Sequence, residues 1–243
     1  MRYRPPCPDA IVLERHAGVL EARGRDDPPG SGVFAEWRAI ARTGGRAAPR
    51  SRSPLRSAIG DAHSVIDATG GFGIDAWTLA CAGCRVTMIE RSPVMAALLE
   101  DALERARRDD PETAKRVSLQ QGDARTVLAA MAGIAGGGGA CAEDERPDAI
   151  YLDPMFPPKR RASALPSKQM QFLAAIVGAD LDASELLATA RRVACKRVVV
   201  KRPPHADPLA PDAAFTIASK LLRFDVYHPA VRAPLNRPEV AAP

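Results

Sequence analysis

The 243-residue sequence contains no long apolar run. A membrane-spanning helix needs roughly 18 to 20 consecutive apolar residues, and no stretch approaches that length. The first residues also lead into no apolar core of the kind found in secretory signals. Hydrophobic residues make up 46% and charged residues 26% of the chain, which excludes a disordered or collagen-like protein. We expect a globular cytoplasmic protein with no membrane association.

Cysteine and histidine are scarce, with five and four residues, and their spacing completes neither a disulfide framework nor a metal site. The pair Cys81 and Cys84 forms a CxxC, but no second CxxC or nearby histidine pair completes a zinc site. An odd number of cysteines agrees with a reducing compartment. We therefore expect no metal, and we expect these two thiols to pack in the core near the end of a helix.

Acidic residues are absent from one basic stretch. The first 60 residues hold the whole net charge of +5, and six arginines within them are interrupted by no acid: Arg38, Arg42, Arg46, Arg50, Arg52 and Arg56. Such a stretch is typical of a surface that faces phosphates. It is equally typical of a solvated, partly disordered face, and the sequence supports both interpretations.

Strand and helix patterns alternate from Ser64 onward, whereas residues 1–60 carry only one apolar stretch and a possible strand at Gly32 to Trp37. The predicted strands are Val65 to Ile66, Arg85 to Glu90, Val117 to Gln120, Ala149 to Asp153 and Arg197 to Lys201, with a closing antiparallel pair at Ala214 to Ala218 and Phe224 to Tyr227. Helices are predicted at Ile74 to Ala80, Pro93 to Arg107, Ala124 to Met131, Gln169 to Val177 and Ser184 to Arg192. The alternation predicts an α/β domain over residues 61–243, an open and mainly parallel sheet covered on both faces, with a small N-terminal extension over residues 1–60.

Ligands bind at the carboxyl ends of the strands in such a sheet. After the first strand, Gly71 and Gly73 permit a tight turn and a close approach of the backbone to a ligand, and the next helix offers free N–H groups. Glu90 ends the second strand and is placed to accept hydrogen bonds from a ribose diol. The GxGxxA pattern that begins at Gly71 also fits a nicotinamide-dinucleotide fingerprint. An oxidoreductase that uses such a cofactor is therefore an alternative.

Two motifs favour S-adenosylmethionine over a nicotinamide. The segment from Asp67 to Gly73, Asp-x-Thr-x-Gly-x-Gly, resembles the acid-x-Gly-x-Gly-x-Gly loop of class I methyltransferases, with Thr69 in place of the first glycine. The fourth strand ends in Asp153-Pro-Met-Phe-Pro157, which resembles the (Asp/Asn)-Pro-Pro-(Tyr/Phe) motif of enzymes that methylate the exocyclic amines of bases.

The second motif has a chemical reason. A base amine is a poor nucleophile, so it needs acceptors that hold its N–H bonds and turn its lone pair toward the methyl group. Asp153 and the carbonyl of Pro154 can be those acceptors. Phe156 can stack on an extruded base, a contact worth about 1 to 3 kcal/mol. The plain alternative is an ordinary proline turn with Phe156 in the core.

Four segments together resemble the RsmJ family: Val65 to Ala76, Gly83 to Leu99, Tyr151 to Pro157 and Lys196 to Pro203. Members of this family are S-adenosylmethionine-dependent methyltransferases that modify the N2 amine of a guanosine in bacterial small-subunit (16S) ribosomal RNA. The resemblance runs from about Ser64 to Tyr227. It is weaker from Leu13 to Trp37, where Arg25 to Pro28 and Gly32 to Phe34 look like the family's N-terminal strands. It implies a class I, Rossmann-like methyltransferase fold.

The resemblance also implies a set of cofactor contacts, to which the glycine loop adds Asp67, Gly71 and Gly73. Carried over by position, these contacts fall on Ile74, Asp75, Glu90, Arg91, Asp123, Ala124 and Asp153. Asp123 suits the adenine amine, and Asp75 suits the methionine ammonium or a water near it. Ile74 stands where we expect an arginine in the family.

RNA contacts are expected from basic residues near the carboxyl ends of the strands, Lys159, Arg160, Lys201 and Arg202. The expected partner is 16S ribosomal RNA or the 30S subunit, and the expected product of the cofactor is S-adenosylhomocysteine. Because the sulfonium is an activated donor, no metal or covalent protein nucleophile is required. A non-catalytic RNA-binding or ribosome-assembly factor on the same fold is the remaining alternative.

Overall fold

The computed structural model describes residues 7, 10–38, 40, 53–133, 145–155, 167–178, 182–219 and 221–231. The strands are β1 (Ile11–His16), β2 (Val19–Gly24), β3 (Ser64–Asp67), β4 (Arg85–Glu90), β5 (Val117–Gln121), β6 (Ala149–Leu152), β7 (Arg197–Arg202), β8 (Phe215–Ala218) and β9 (Arg223–Tyr227). The helices are α1 (Pro54–Ile59), α2 (Ile74–Cys81), α3 (Pro93–Asp109), α4 (Pro111–Ala114), α5 (Ala124–Met131), α6 (Lys168–Val177) and α7 (Ala183–Val193). Among these residues, no helix has both the length and the apolar character needed to span a membrane.

Seven strands form one sheet in the order β5-β4-β3-β6-β7-β9-β8. The five strands from β5 to β7 run parallel, while β9 pairs antiparallel with both β7 and β8. The predicted parallel sheet and its closing antiparallel pair are therefore confirmed. The chain moves outward from β3 to β4 and β5, then returns to β6 on the other side of β3. This reversal is the switch point at which open α/β sheets bind ligands.

Both faces of the sheet are covered, because successive side chains of a strand point to opposite faces. In β6, Ala149 and Tyr151 belong to one hydrophobic cluster, while Ile150 and Leu152 belong to the other. Helices α1, α2 and α3 contribute to the first cluster, and α5 and α7 contribute to the second. The buried, apolar parallel strands are what this two-sided packing requires.

The N-terminal segment forms the β1–β2 hairpin, and the strands predicted at Gly32 to Trp37 and Arg25 to Pro28 are wrong. Only Val33 makes a bridge, to Ala22, because side chains take up backbone groups that a ladder would need. The buried Glu21 carboxylate accepts hydrogen bonds from the Gly30 and Gly32 amides at 2.6 and 2.9 Å. Ala22 and Val33 nevertheless pack into the same cluster as α2 and α3.

Helix α1 was not predicted, although Ser53 caps it by accepting a hydrogen bond from the Arg56 amide at 3.1 Å. Its residues Leu55 and Ile59 are buried in the main core. Of the basic stretch, Arg38 pairs with Asp109 at 2.7 Å. The residues Arg42, Arg46, Arg50 and Arg52 lie outside the described residues.

Cys84 packs in the core, and its thiol donates a hydrogen bond to the Ala62 carbonyl, with Sγ 3.4 Å from the oxygen. Cys81 is partly buried, and neither cysteine forms a disulfide with another described residue. The CxxC therefore has the core packing that the sequence suggests.

Candidate active site at the carboxyl edge of the sheet

A cavity of about 490 Å³ opens at the carboxyl ends of the parallel strands. Loops after β3, β4, β5, β6 and β7 line it, and α6 closes one side with Met170, Leu173 and Val177. Every predicted site residue that the structure describes lies in its lining: Asp67, Gly71, Gly73, Ile74, Asp75, Glu90, Arg91, Asp123, Ala124, Asp153, Pro154, Lys201 and Arg202. Phe156, Lys159 and Arg160 lie outside the described residues.

The glycine loop needs its glycines at two positions. Gly71 has φ of 54° and Gly73 has φ of 70°, in the left-handed region that favours glycine. A Cβ at Gly73 would also lie 2.7 Å from the Trp37 ring and 2.9 Å from the Leu99 side chain. The Trp37 indole donates to the Phe72 carbonyl at 2.9 Å, so the N-terminal segment holds this loop.

Glu90 joins the loops that follow β3 and β4. Its side chain is buried, and its two carboxylate oxygens accept hydrogen bonds from the Gly71 amide at 2.9 Å and the Ser92 amide at 2.7 Å. A carboxylate has about four acceptor positions, so it can serve backbone amides and ligand hydroxyls together.

Thr69 connects the glycine loop to the end of β6. Its hydroxyl accepts a hydrogen bond from the Asp153 amide at 2.7 Å and donates to Asp67 Oδ1 at 3.3 Å. Asp67 is buried, and burial, reinforced by the nearby Asp75 and Asp153 charges, raises its pKa to about 7. A hydrogen bond from the Thr69 amide opposes that rise.

Two carboxylates contact the ammonium of Lys201, and a phenol supports one of them. Lys201 Nζ lies 2.8 Å from Asp75 Oδ2 and 2.9 Å from Asp153 Oδ2. The Tyr151 hydroxyl donates to the same Asp75 oxygen at 2.5 Å. Burial lowers the pKa of Lys201, but the two carboxylates outweigh it, so this pKa lies above its ordinary value.

The wall after β5 is a cluster of charges. Asp123 caps α5 by accepting a hydrogen bond from the Arg125 amide at 2.8 Å, and its carboxylate pairs with the Arg125 guanidinium at 2.7 Å. These bonds hold the pKa of Asp123 below its ordinary value. Arg125 and Arg91 both approach Asp182, at 3.1 and 3.7 Å.

Two predicted residues have surroundings that the sequence did not indicate. Ile74 is 46% exposed and Met170 is 44% exposed, so the cavity has an apolar rim where an arginine was expected. Arg202 was predicted as a phosphate contact, but it is only 6% exposed and donates to the Asp207 carbonyl. Its contact with RNA stays a prediction.

Sequence reasoning missed Tyr151 and assigned Thr69 no role. One available signal was the alternation of strand residues, because Tyr151 lies two residues before Asp153 and points to the same face. Tyr151 also pairs with Val199, two residues before Lys201. The sequence could therefore have placed these side chains on one face, but it could not show that they meet Asp75.

The residues of the cavity fit S-adenosylmethionine. The volume lies within the range of roughly 300 to 1,000 Å³ that is usual for small-molecule sites. Gly71 and Gly73 leave the backbone accessible to a ligand, and Glu90 and Asp123 supply carboxylate acceptors of the kind that bind nucleoside hydroxyls and amines. Asp67, Asp75 and Asp153 form the acidic end of the cavity, where Asp75 and Asp153 supply carboxylate oxygens that can bind an ammonium group. The fold and this cavity are those of a class I S-adenosylmethionine-dependent methyltransferase.

Comparison with known proteins agrees with this class. The family model described as "Putative SAM-dependent methyltransferase" matches residues 5–229. Proteins named Ribosomal RNA small subunit methyltransferase J are 42% identical in Cronobacter sakazakii, over 90% of this chain and 86% of that protein, and 40% identical in Yersinia pestis, over 93% and 86%. The crystal structure of a SAM-dependent methyltransferase from Neisseria gonorrhoeae is similar with a TM-score of 0.66 and 29% identity, over 95% of this chain and 87% of that one.

This chain therefore belongs to the family of S-adenosylmethionine-dependent methyltransferases whose curated members are named Ribosomal RNA small subunit methyltransferase J. It is an enzyme, and S-adenosylmethionine is its methyl donor. The alternative interpretation of the glycine pattern, a nicotinamide-dependent oxidoreductase, is therefore excluded.

Proposed function

We propose that this protein transfers a methyl group to the N2 amine of a guanosine in 16S ribosomal RNA, in the cytoplasm. The observation that carries the proposal is the position of Asp153. Its carboxylate and Pro154 lie in the same cavity as the glycine loop and Glu90, so an amine acceptor and a nucleoside site share one space. The names of the relatives supply the class of RNA.

We assign the cofactor to the side of the cavity formed by β3, β4 and β5. Glu90 would accept hydrogen bonds from the ribose hydroxyls, and Asp123 would accept one from the adenine amine. Asp75 and Asp67 would face the cationic methionine end, beside the backbone of Gly71, Gly73 and Ile74. Arg91 and Ala124 would complete the wall. When bound, S-adenosylmethionine supplies a methyl group on a sulfonium sulfur, which is already an activated donor.

The chain itself orients the amine. The Asp153 carboxylate and the Pro154 carbonyl would accept the two N–H bonds of N2, which leaves the nitrogen lone pair to form the new N–C bond. As the new N–C bond forms, bound S-adenosylmethionine would leave as S-adenosylhomocysteine, and the nitrogen would lose one proton, which the Asp153 carboxylate would accept. Phe156, three residues further along the chain, would stack on the extruded guanine.

Phosphate contacts would position the RNA without reading its sequence. Lys159 and Arg160 follow the acceptor segment by a few residues and are proposed for this role. Lys201 and Arg202 support it less directly, because Lys201 is paired with two carboxylates and Arg202 is buried.

The test is methyl transfer from labelled S-adenosylmethionine to 30S subunits and to naked 16S RNA, both from a strain that lacks this protein. We expect N2-methylguanosine after digestion of the RNA, and the better of the two substrates identifies the form that the enzyme recognises. A different methylated nucleoside would overturn the assignment of the base. Cofactor binding without transfer to either RNA would overturn the assignment of ribosomal RNA. RNA binding without cofactor binding would instead indicate a non-catalytic RNA-binding factor.

The assignment of Glu90 has its own test. Glu90→Gln keeps the shape of the side chain but replaces a charged acceptor, whose hydrogen bonds are worth about 1.5 to 3 kcal/mol. We expect calorimetry to show S-adenosylmethionine binding weakened by about tenfold or more. Glu112→Gln, at an exposed position on α4, is the matched control. Equal affinities of the two variants would contradict the assignment.

A further inference from the structure

Lys201 and its two partners, Asp75 and Asp153, lie at the acidic end of the cavity, and we call these three residues the lysine bridge. The ammonium contacts Oδ2 of both carboxylates, at 2.8 and 2.9 Å. All three side chains are partly exposed to the cavity. From the sequence, Lys201 was expected only as a phosphate contact.

The bridge joins three elements that are distant in sequence. Lys201 extends from the end of β7, Asp153 follows β6, and Asp75 lies in the first turn of α2, directly after the glycine loop. Tyr151 holds the Asp75 side chain, because its hydroxyl donates a hydrogen bond to the same carboxylate oxygen that Lys201 contacts. The Lys201 ammonium therefore connects Asp75, next to the glycine loop, with Asp153, the proposed acceptor of the substrate amine.

The local charges make this contact strong. Asp67, Asp75 and Asp153 are close enough that the last two help to raise the pKa of Asp67. Burial, together with the same acids, also raises the pKa of Tyr151, so this phenol stays a hydrogen-bond donor. Lys201 is the cation that pairs with two of these acids in the described part of the cavity.

We propose that Lys201 is a positioning residue for methyl transfer: its ammonium holds the Asp153 carboxylate in the orientation that accepts the substrate amine, with Asp75 as its fixed support. The inference rests on the proposed role of Asp153. The backbone of Asp153 is held independently by Thr69, so Lys201 fixes the remaining freedom, the rotation of the side chain. Lys201 already uses two of its three N–H donors on these carboxylates, which leaves at most one for a phosphate.

The experiment compares Lys201→Met, which keeps the length of the side chain without its charge, with Lys201→Arg, which keeps the charge. Lys196→Met is the matched control, because Lys196 lies at the opposite end of β7 and also pairs with two aspartates. Four quantities are measured for each: kcat, KM for the RNA, calorimetric affinity for S-adenosylmethionine, and the midpoint of urea unfolding.

We expect Lys201→Met to lower kcat by about 10²-fold, because a small misplacement of a reacting or orienting group has that effect. The KM for RNA should stay within about threefold, since the lost interaction acts in the transition state. Lys201→Arg should recover about tenfold of the loss, limited by its planar head group. Lys196→Met should keep the wild-type kcat.

Three results would overturn the inference. If Lys201→Met raises the KM for RNA and leaves kcat unchanged, Lys201 is a phosphate contact. If Lys201→Met does not fold, the test uses Tyr151→Phe, which removes only the hydroxyl that supports Asp75, together with Lys201→Arg. A wild-type kcat in both of these variants would exclude a positioning role. If the wild-type enzyme transfers no methyl group to RNA, the proposed function fails and this inference fails with it, whereas the first two results leave the proposed function intact.

Discussion

The two ends of strands β6 and β7 each carry a lysine between two aspartates. At the amino end of β7, Lys196 Nζ lies 3.3 Å from Asp148 and 3.6 Å from Asp61. At the carboxyl end, Lys201 lies at 2.8 and 2.9 Å from its two partners. The residue types are the same at both edges, but their surroundings differ.

At the amino edge, the carboxylate of Asp148 serves the backbone. It accepts hydrogen bonds from the His63 and Ser64 amides at 2.7 and 3.2 Å, which fixes the start of β3 against β6. At the carboxyl edge, Asp153 and Asp75 face a cavity instead. The chemistry of an Asp-Lys-Asp group therefore depends on whether its carboxylates are used by the backbone or are directed into a space that a ligand can enter.

The largest expected difference between the edges is in catalysis. Asp153→Ala should lower kcat by about 10³-fold, as the loss of a preorganised electrostatic group does, with little change in stability. Asp148→Ala should keep the kcat of the folded enzyme but lose about 1 to 3 kcal/mol of unfolding free energy, because the His63 and Ser64 amides lose a charged acceptor. Methyl-transfer kinetics and urea unfolding measure the two effects.

Asp153→Asn sharpens this test, since its amide oxygen can still accept an N–H bond. We expect its kcat to lie between those of Asp153→Ala and the wild type. If Asp153→Ala retained a kcat near that of the wild type, the two edges would be functionally equal and the assignment of Asp153 would be wrong.

A second difference concerns glycines in the loops of the two edges. Gly73→Ala should cost about 2 to 4 kcal/mol of stability, because it adds a strained φ to a clash with Trp37 and Leu99. Gly83, in the turn before β4, has φ of 99°, and a Cβ added there would meet no atom within 4 Å. Gly83→Ala should therefore cost only about 1 to 2 kcal/mol. Equal unfolding free energies of the two variants would contradict the close packing of Trp37 on the cofactor loop.

A third difference is in the pH dependence of stability. The pKa of Asp67 is raised by burial to about 7, so the folded protein holds a proton that the unfolded chain releases. This contribution is complete below about pH 4 and is lost as pH rises through about 7, at no more than about 1.4 kcal/mol per pH unit. Burial raises the pKa of Asp148, but hydrogen bonds from His63, Ser64 and Lys196 outweigh it and lower this pKa. Its contribution is present above about pH 4 and is lost below it.

Thermal unfolding between pH 3 and pH 8 measures both slopes. Asp67→Asn should flatten the decline between about pH 4 and 7, and Asp148→Asn should change only the acid end. A wild-type stability that rises steadily from pH 4 to 7, unaltered by Asp67→Asn, would contradict the raised pKa of Asp67.

Local patterns were enough to predict most of the fold and the side of the cavity formed by the glycine loop and Glu90. Arg85 to Glu90 and Ala124 to Met131 were predicted with the bounds that the structure has, because each pattern is complete within a few residues. Glu90 meets Gly71 across 19 positions, within one strand-helix-strand unit. Residues 25–37 were less predictable, because Glu21 and other side chains outside that stretch satisfy its backbone groups.

The parallel sheet, the glycine loop and the acids at the strand ends follow from the sequence alone, because periodicity and glycine conformation are local properties. The partners of these acids follow from the three-dimensional arrangement of the chain. Lys201 meets Asp75 across 126 positions and Asp153 across 48, and Thr69 meets Asp153 across 84. Such contacts depend on the order of strands in the sheet and on the direction of each side chain, and no short segment of sequence specifies either.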